Sequence, residues 1–387
     1  MESRIYLDNA AASRTDPEVV RAMLPYFDEI YAVASSQFSH TPGILAREAL
    51  DRSRETLARR LSASPEEIIF TSGGTESNNL AVKGAAWAAK TAKKHLICSQ
   101  IEHQSVLHSC QWLEKQGFSL TTVRVDGEGF VDLDQLEDSI RPDTLLVSIQ
   151  QGNQEVGTIQ PVDRIAEICR ARGVLFHTDA SFSFTQADLD LSAVPADLVT
   201  LSAHRIHGPK GIGALYVRKG TPIEKMMHGG YHEFSLRSGT ENVAGAVGFA
   251  KAVELSGARE AARIRALQGR LFERLGATVE DIEVNGPGDM ERRLPGNVNV
   301  SFKRVEGESV VLHLDMKGIS VITGSACFSR SLEPSYVMMA MGFSHERAHG
   351  SIRFSLSRFN HEEEIDRTAD SCRDVVGALR RISPLSS

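Results

Sequence analysis

Between Glu66 and Val217 six short apolar runs recur, with longer helical stretches between them. They are Ile68-Ile69-Phe70, Leu96-Ile97-Cys98, Leu145 to Ile149, Val174-Leu175-Phe176, Leu198 to Leu201 and Ala214 to Val217. Such runs, lacking strict alternation, suit strands buried on both faces. One intervening helix opens near Pro161–Asp163, carries Ile165, Ile168 and Cys169 on one stripe and stops at Gly173. The alternation predicts an α/β fold with a mostly parallel sheet and helices on both faces. Beyond about Ala246 the pattern changes. A periodic polar helix is expected over roughly Ala252–Leu275, then strands at Val298–Phe302 and Val310–Leu314, then two helices near the C-terminus. These read as a second, smaller α+β domain. The expected division is a segment 1–15 packing with the small domain, a large domain 16–255 and a small domain 256–387.

Charge and cysteine usage narrow the function classes. The 387 residues carry 43 Lys+Arg against 50 Asp+Glu, a formal charge of −7, which argues against a dedicated nucleic-acid or membrane-surface binder. No run approaches the roughly 18 apolar residues of a membrane span, and Met1 to Asp8 lack the basic and apolar blocks of a secretory signal. Cys98, Cys110, Cys169, Cys327 and Cys372 are scattered without a CxxC pair. A reducing, cytoplasmic setting with free thiols is expected.

In parallel sheets ligands sit at the carboxyl ends of the strands, and polar clusters here fall after the predicted strands. Thr71-Ser-Gly-Gly-Thr-Glu76 follows the first. Glycines and a hydroxyl at a helix start expose N–H groups to an anion such as phosphate, although the same letters also fit a plain turn with a Thr cap. His103, Asn153 and Asp179 follow later strands. Asp179 either caps a helix or meets a cation. Ser202 to Gly211, with His204, Arg205, His207 and Lys210, is a second candidate anion group or simply a solvated basic loop. Two histidine pairs stand four apart, His228 with His232 and His345 with His349, but no histidine pairs with cysteine at zinc spacing, and no metal site is expected. Cys327 lies among small residues, Thr323-Gly-Ser-Ala-Cys-Phe-Ser329, where a thiol is reachable.

Taken in order, these pieces resemble the cysteine desulfurases of the NifS/IscS type, pyridoxal-phosphate (PLP) enzymes of fold-type I and aminotransferase class V. The resemblance runs from Tyr6-Leu-Asp-Asn-Ala-Ala-Ala12 through Thr71 to Asn79, Ile101-Glu-His103, Asn153 to Gln160, His177-Thr-Asp-Ala180 and Arg237-Ser-Gly-Thr-Glu-Asn242. It continues through Gly324-Ser-Ala-Cys327, Leu332-Glu-Pro-Ser-Tyr336 and Ser351-Ile-Arg-Phe-Ser355. It implies that Gly74, Thr75, Ser202 and His204 hold the cofactor phosphate, with Thr240 reaching across from the partner of a homodimer. By the same resemblance His103 stacks on the ring, Asp179 pairs with its protonated nitrogen, and Asn153 contacts the ring's phenolic oxygen or the substrate. Arg353 grips the carboxylate of L-cysteine or a related amino acid. Cys327 is the thiolate that takes the sulfur as a persulfide, leaving alanine. An IscU-like scaffold or another sulfur-acceptor protein is the implied partner, for iron–sulfur cluster assembly or thiolation.

The departures matter as much. The family's Schiff-base lysine, in SxHKxxGPKG, is Arg205 here. A guanidinium with a pKa above about 12 is not a useful imine-forming amine. The family's glutamine in DAxQ is Phe182, its GNPSS reads Ala32-Val-Ala-Ser-Ser36, and its GGGQE reads Gly229-Gly-Tyr-His-Glu233. Four changes lining one pocket read as divergence rather than a single replacement. The expectation is noncovalent PLP and impaired or altered turnover, with His103 the best remaining proton carrier. A non-catalytic homologue that relays persulfide through Cys327 or docks a scaffold is the alternative.

Overall fold

The computed structural model describes residues 4–89, 93–324 and 333–382. The chain enters through β1 (Ile5–Tyr6) and then builds seven strands: β2 (Ile68–Thr71), β3 (His95–Ser99), β4 (Ser119–Val123), β5 (Thr144–Ser148), β6 (Leu175–Asp179), β7 (Leu198–Ser202) and β8 (Gly213–Val217). They form one sheet in the order β2-β8-β7-β6-β5-β3-β4. All neighbours are parallel except β8, which runs antiparallel to both β2 and β7. The apolar runs read from the sequence are these strands, and β2, β3, β5, β7 and β8 are buried at every position. Only β4 escapes that reading. Its Ser-Leu-Thr-Thr-Val lies at the sheet edge and is buried fully at Val123 alone, so it needs no apolar run.

A second sheet comprises β9 (Ile282–Val284), β10 (Asn297–Phe302), β12 (Ile322–Thr323) and β13 (Ser351–Ser355), antiparallel in the order β12-β13-β10-β9. β11 (Ile319–Ser320) pairs in parallel with β1, which joins the N-terminal segment to this part of the molecule. The core here is Val298, Val300, Phe302, Ile352 and Phe354 against Leu271, Leu275, Ile365 and Cys372 of two 21-residue helices, Ala258–Thr278 and Glu362–Ile382.

Three expectations change. The helix expected over Ala252–Leu275 is two, Val243–Leu255 and Ala258–Thr278, broken at Ser256–Gly257. The first packs Phe249 and Val253 into the large core, the second packs Ile264 and Leu267 into the small one, and an unbroken helix could not serve both. Val310–Leu314 is not a strand but part of the helix Gly307–Met316, whose buried Val310 and Leu314 lie four apart on one face. Near the C-terminus the long helix Glu362–Ile382 follows two short ones, Tyr336–Ala340 and His345–His349, rather than standing as one of a pair.

Candidate active site

The parallel strands put their polar ends on one edge. Residues following β2, β3, β6 and β7 line a single cavity of about 430 Å³: Gly74, Thr75, His103, Asp179, Ser202, His204, Arg205 and, beside them, Asn78, Ser181, Phe182 and Lys210.

The anion end is built from close backbone approach. Gly73 and Gly74 lead into the helix Gly74–Ala88, whose free N–H groups and dipole favour negative charge. A Cβ on Gly74 would lie 2.7 Å from Ser181 Oγ, and one on Gly213 would lie 2.6 Å from the Gly73 Cα. Ser202 Oγ and His204 Nδ1 are 2.9 Å apart. Burial, reinforced by Arg205 and Lys210, pushes His204 down to about 4, so it is a neutral imidazole at neutral pH. Glu76 in the first helical turn is ion-paired to Arg237 at 3.0 Å and accepts the Ser72 N–H at 2.8 Å, so its charge is already engaged.

At the opposite wall Asp179 ends β6 and is 2% exposed. Its oxygens accept from Asn78 Nδ2 at 2.6 Å and the Ser181 N–H at 2.8 Å. Behind it, His177 is hydrogen-bonded to Ser148 (2.7 Å) and Thr200 (3.0 Å), and burial pushes it down to about 4. His103 caps the helix Gln104–Glu114 through Nδ1, near Ser105 Oγ at 2.7 Å. Burial first, then the charge of Arg205, holds it below the ordinary histidine value against the pull of Asp179. Two polar atoms lining the cavity, Asn78 Oδ1 and Ser181 Oγ, are buried with no hydrogen-bond partner among the described residues. Native structures rarely leave such atoms unsatisfied, so the cavity is built for a polar guest.

Arg205 closes the short turn after β7. Its guanidinium carbon lies 4.4 Å from the ring centroid of Phe182, whose ring is in turn 6.3 Å from that of His103. The N-terminal segment fixes this turn: Ser13 Oγ donates to His204 O and accepts from the His207 N–H, both at 2.9 Å. Arg205 also borders an adjoining cavity of about 270 Å³, together with His103, Gln154, Glu155, Tyr336 and Arg353. Arg353, on β13, is ion-paired to Asp8 at 2.9 Å.

Not every candidate joins this group. Asn153 is fully buried beside the cavity rather than lining it. Its Nδ2 donates to Ile101 O (3.2 Å) and its Oδ1 accepts the Glu155 and Val156 N–H groups (2.8 and 2.9 Å), which shapes its own loop. Thr240 is exposed and apart from the cavity. Cys327 lies outside the described residues. Asn78, Ser181 and Glu155 were missed from the sequence; the motif spans containing Asn78 and Glu155 were the only signal. Among the described residues no group of three or more His, Cys, Asp or Glu side chains could hold a metal ion, and no helix is long and apolar enough to cross a membrane.

A family model described as aminotransferase class-V matches residues 5–368. The cysteine desulfurase IscS of Clostridium botulinum strain Hall is 43% identical over 388 residues, covering 100% of this chain and 97% of that one. A solved NifS-like protein superposes with a TM-score of 0.89 at 35% identity, covering 97% of this chain and 100% of that one. SspA, solved in complex with cysteine, gives a TM-score of 0.83 at 34% identity, with 93% and 100% covered.

Proposed function

The chain belongs to the class-V aminotransferase family and, within it, to the cysteine desulfurases, and from that premise we propose a PLP-binding desulfurase whose cofactor is held without a covalent link. The observation that carries this reading is Arg205 stacked on Phe182 in a cavity that otherwise keeps its anion-binding helix start and its buried carboxylate.

The residues fit PLP. Its phosphate suits the N–H groups of Gly74 and Thr75 with Ser202 and neutral His204. Asp179, held by Asn78 and Ser181, suits a protonated ring nitrogen, and the unpartnered Ser181 Oγ and Asn78 Oδ1 await a polar guest. When bound, PLP supplies an electron-withdrawing ring that stabilises negative charge on the amino acid. This chain's residues then act around it. Arg353 orients the substrate carboxylate. His103, neutral and against the cavity, carries protons, the role a lysine at position 205 would share. Arg205 stays protonated and contributes charge but no proton transfer. General acid–base help is typically worth about 10²–10⁴-fold, so turnover is slow or altered. Gly324, three residues before Cys327, borders the substrate cavity, which is consistent with Cys327 receiving sulfur there for an IscU-like or other acceptor.

A homodimer is part of this reading. Thr240 suits a neighbouring copy's phosphate, and its loop adjoins a surface hollow lined by Phe38 and Tyr231, which are 92% and 88% exposed. A cytoplasmic setting accords with four buried, free cysteines.

The test adds PLP and L-cysteine to the purified protein and measures alanine and sulfide, with Cys327→Ser as control. Slow alanine formation that needs added PLP, with no PLP on the polypeptide after borohydride reduction and denaturation, supports the proposal. A borohydride-fixed PLP–lysine adduct overturns the noncovalent cofactor. Full PLP binding with no alanine favours the persulfide-relay reading instead.

A further inference from the structure

Arg353 stands in the middle of the small sheet. Its strand β13 pairs with β10 at Asn299 and with β12 at Ile322, so its backbone is fixed, and the residue is 3% exposed. A guanidinium so deeply placed needs its N–H groups used, because a buried, unpaired charge is costly. The use made of this one is incomplete. Nη2 donates to Asp8 Oδ1 at 2.9 Å, Nη1 reaches Gln154 O only at 3.5 Å, and Nε is buried with no hydrogen-bond partner among the described residues. A carboxylate matched to the arginine fork takes two N–H groups side by side. Asp8 takes one.

The backbone of Asp8 is held independently of this contact. Its carbonyl accepts the Ala11 N–H at 3.0 Å and the Tyr6 hydroxyl at 3.1 Å. On either side, the Leu7 carbonyl accepts the Ser355 N–H at 2.7 Å, and the Asn9 N–H donates to Ser355 O at 3.3 Å. The Asp8 side chain is 17% exposed against 4% for that of Arg353. Water therefore lies on the aspartate's side of the pair, and a change of rotamer takes the carboxylate into it without moving the chain. Arg353 also borders the cavity of about 270 Å³, beside Ala10, Ala11 and Gln154.

We propose that Asp8 is a positioning residue acting through Arg353: in the ligand-free chain its carboxylate stands in for a ligand's carboxylate and holds the guanidinium in place, and the ligand displaces it. The inference rests on the reading that Arg353 receives the carboxylate of an amino acid, but the Asp8 contact itself does not. The exchange replaces one N–H contact by two and gives Nε a partner, so a bidentate carboxylate outcompetes the single contact. The stand-in also sets a threshold. Every carboxylate ligand must compete with one already present, so Asp8 weakens ligand binding while it stabilises the empty chain. A carboxamide, with one acceptor oxygen and no charge, does not displace it. The class admitted is therefore the free acid.

The experiment titrates propionate, a carboxylate with neither amine nor thiol, into the full chain without PLP, in inorganic phosphate that fills the anion cradle. Calorimetry reads the affinity, and thermal melting without propionate reads the stability of the empty chain. Asp8→Asn keeps the shape and removes the competing charge. It should bind propionate roughly tenfold more tightly than the wild type and yet melt at a lower temperature. A merely structural tie would lower both. Asp8→Glu, which restores the charge, should bring both readings back toward wild type, and Asp8→Ser repeats the measurement if Asp8→Asn does not fold. Neutral variants that bind propionate no more tightly than the wild type overturn the proposal. Arg353→Gln separates the two readings. Loss of propionate binding there upholds Arg353 as the carboxylate site whatever Asp8 does, whereas unchanged binding refutes that reading and the proposal with it.

Discussion

The guanidinium of Arg205 lies over the ring of Phe182, its carbon 4.4 Å from the ring centroid. The two residues are 23 apart in sequence, after β7 and β6 respectively, and each is one of the chain's four departures from the family's pattern. Their contact makes the two departures one change. A lysine placed alone at 205 would meet an apolar ring where the family's pattern has an amide.

Arg205→Lys alone should therefore regain a covalent PLP link only partially, while Arg205→Lys with Phe182→Gln regains more. Intact-protein mass after borohydride reduction reads the fraction carrying cofactor. In urea unfolding of the cofactor-free chain, Arg205→Ala and Phe182→Ala should couple by about 0.5–2 kcal/mol, the range for a partly desolvated cation–π pair. Additive effects would show the stack to be incidental.

A buried ion pair holds the loop that presents Thr240. Arg54 and Glu233 meet through two hydrogen bonds of 2.8 Å with side chains only 3% and 5% exposed, and Glu233 also accepts the Phe70 N–H at 2.7 Å. Glu233, Phe234 and Ser235 all have positive φ, 45°, 55° and 68°, a conformation that costs non-glycine residues energy. Arg54→Met should destabilise the chain by about 3–5 kcal/mol, because it leaves a buried carboxylate unpaired. Replacing both partners by apolar residues should cost less. Urea midpoints of the two variants check the order.

Stability should fall as pH rises, through Glu102. Its carboxyl is fully buried, and burial pushes it up to about 8 despite hydrogen bonds from Ser99 and the Gln150 N–H. The folded value lies above the ordinary value of 4.5, so this contribution is fully present below that value and is lost as pH rises through about 8. Each pH unit in the window is worth at most about 1.4 kcal/mol. Glu102→Gln should flatten the decline in urea midpoint between about pH 5 and about pH 8. A residual slope from Glu155, pushed up to about 7, has the same sign.

The sheet could be read from the sequence because strands buried on both faces must be apolar throughout. β4 could not, because an edge strand carries no such demand. Val310–Leu314 misled because a dense apolar run fits either period, and only the facing core chose the helix. In the site, Asp179 and Ser202 were visible as polar residues ending apolar strands. What holds them was not. Asn78 meets Asp179 across 101 residues and Ser335 meets Glu155 across 180, and no local pattern encodes such pairings. The Arg205–Phe182 stack lay between, with both departures legible singly and their contact legible only in the fold.

Asp179 supplies the sharpest test of the proposed cofactor binding, since its buried carboxylate makes no ion pair among the described residues. Its two oxygens take one donor each from Asn78 and Ser181, and both donors fix the carboxylate without neutralising it. Asp179→Asn preserves the shape and removes the charge, so PLP affinity should fall about 10–100-fold, the value of a hydrogen bond to a charged group. Asn78→Asp should weaken binding by a different route. A second carboxyl at the 2.6 Å contact must share a proton with the first, so its loss of affinity should shrink as pH rises and that proton leaves. Equilibrium dialysis of PLP across pH separates the two, with the loss constant for Asp179→Asn and pH-dependent for Asn78→Asp. Equal, pH-independent losses would mean that the pocket reads shape rather than charge at this wall.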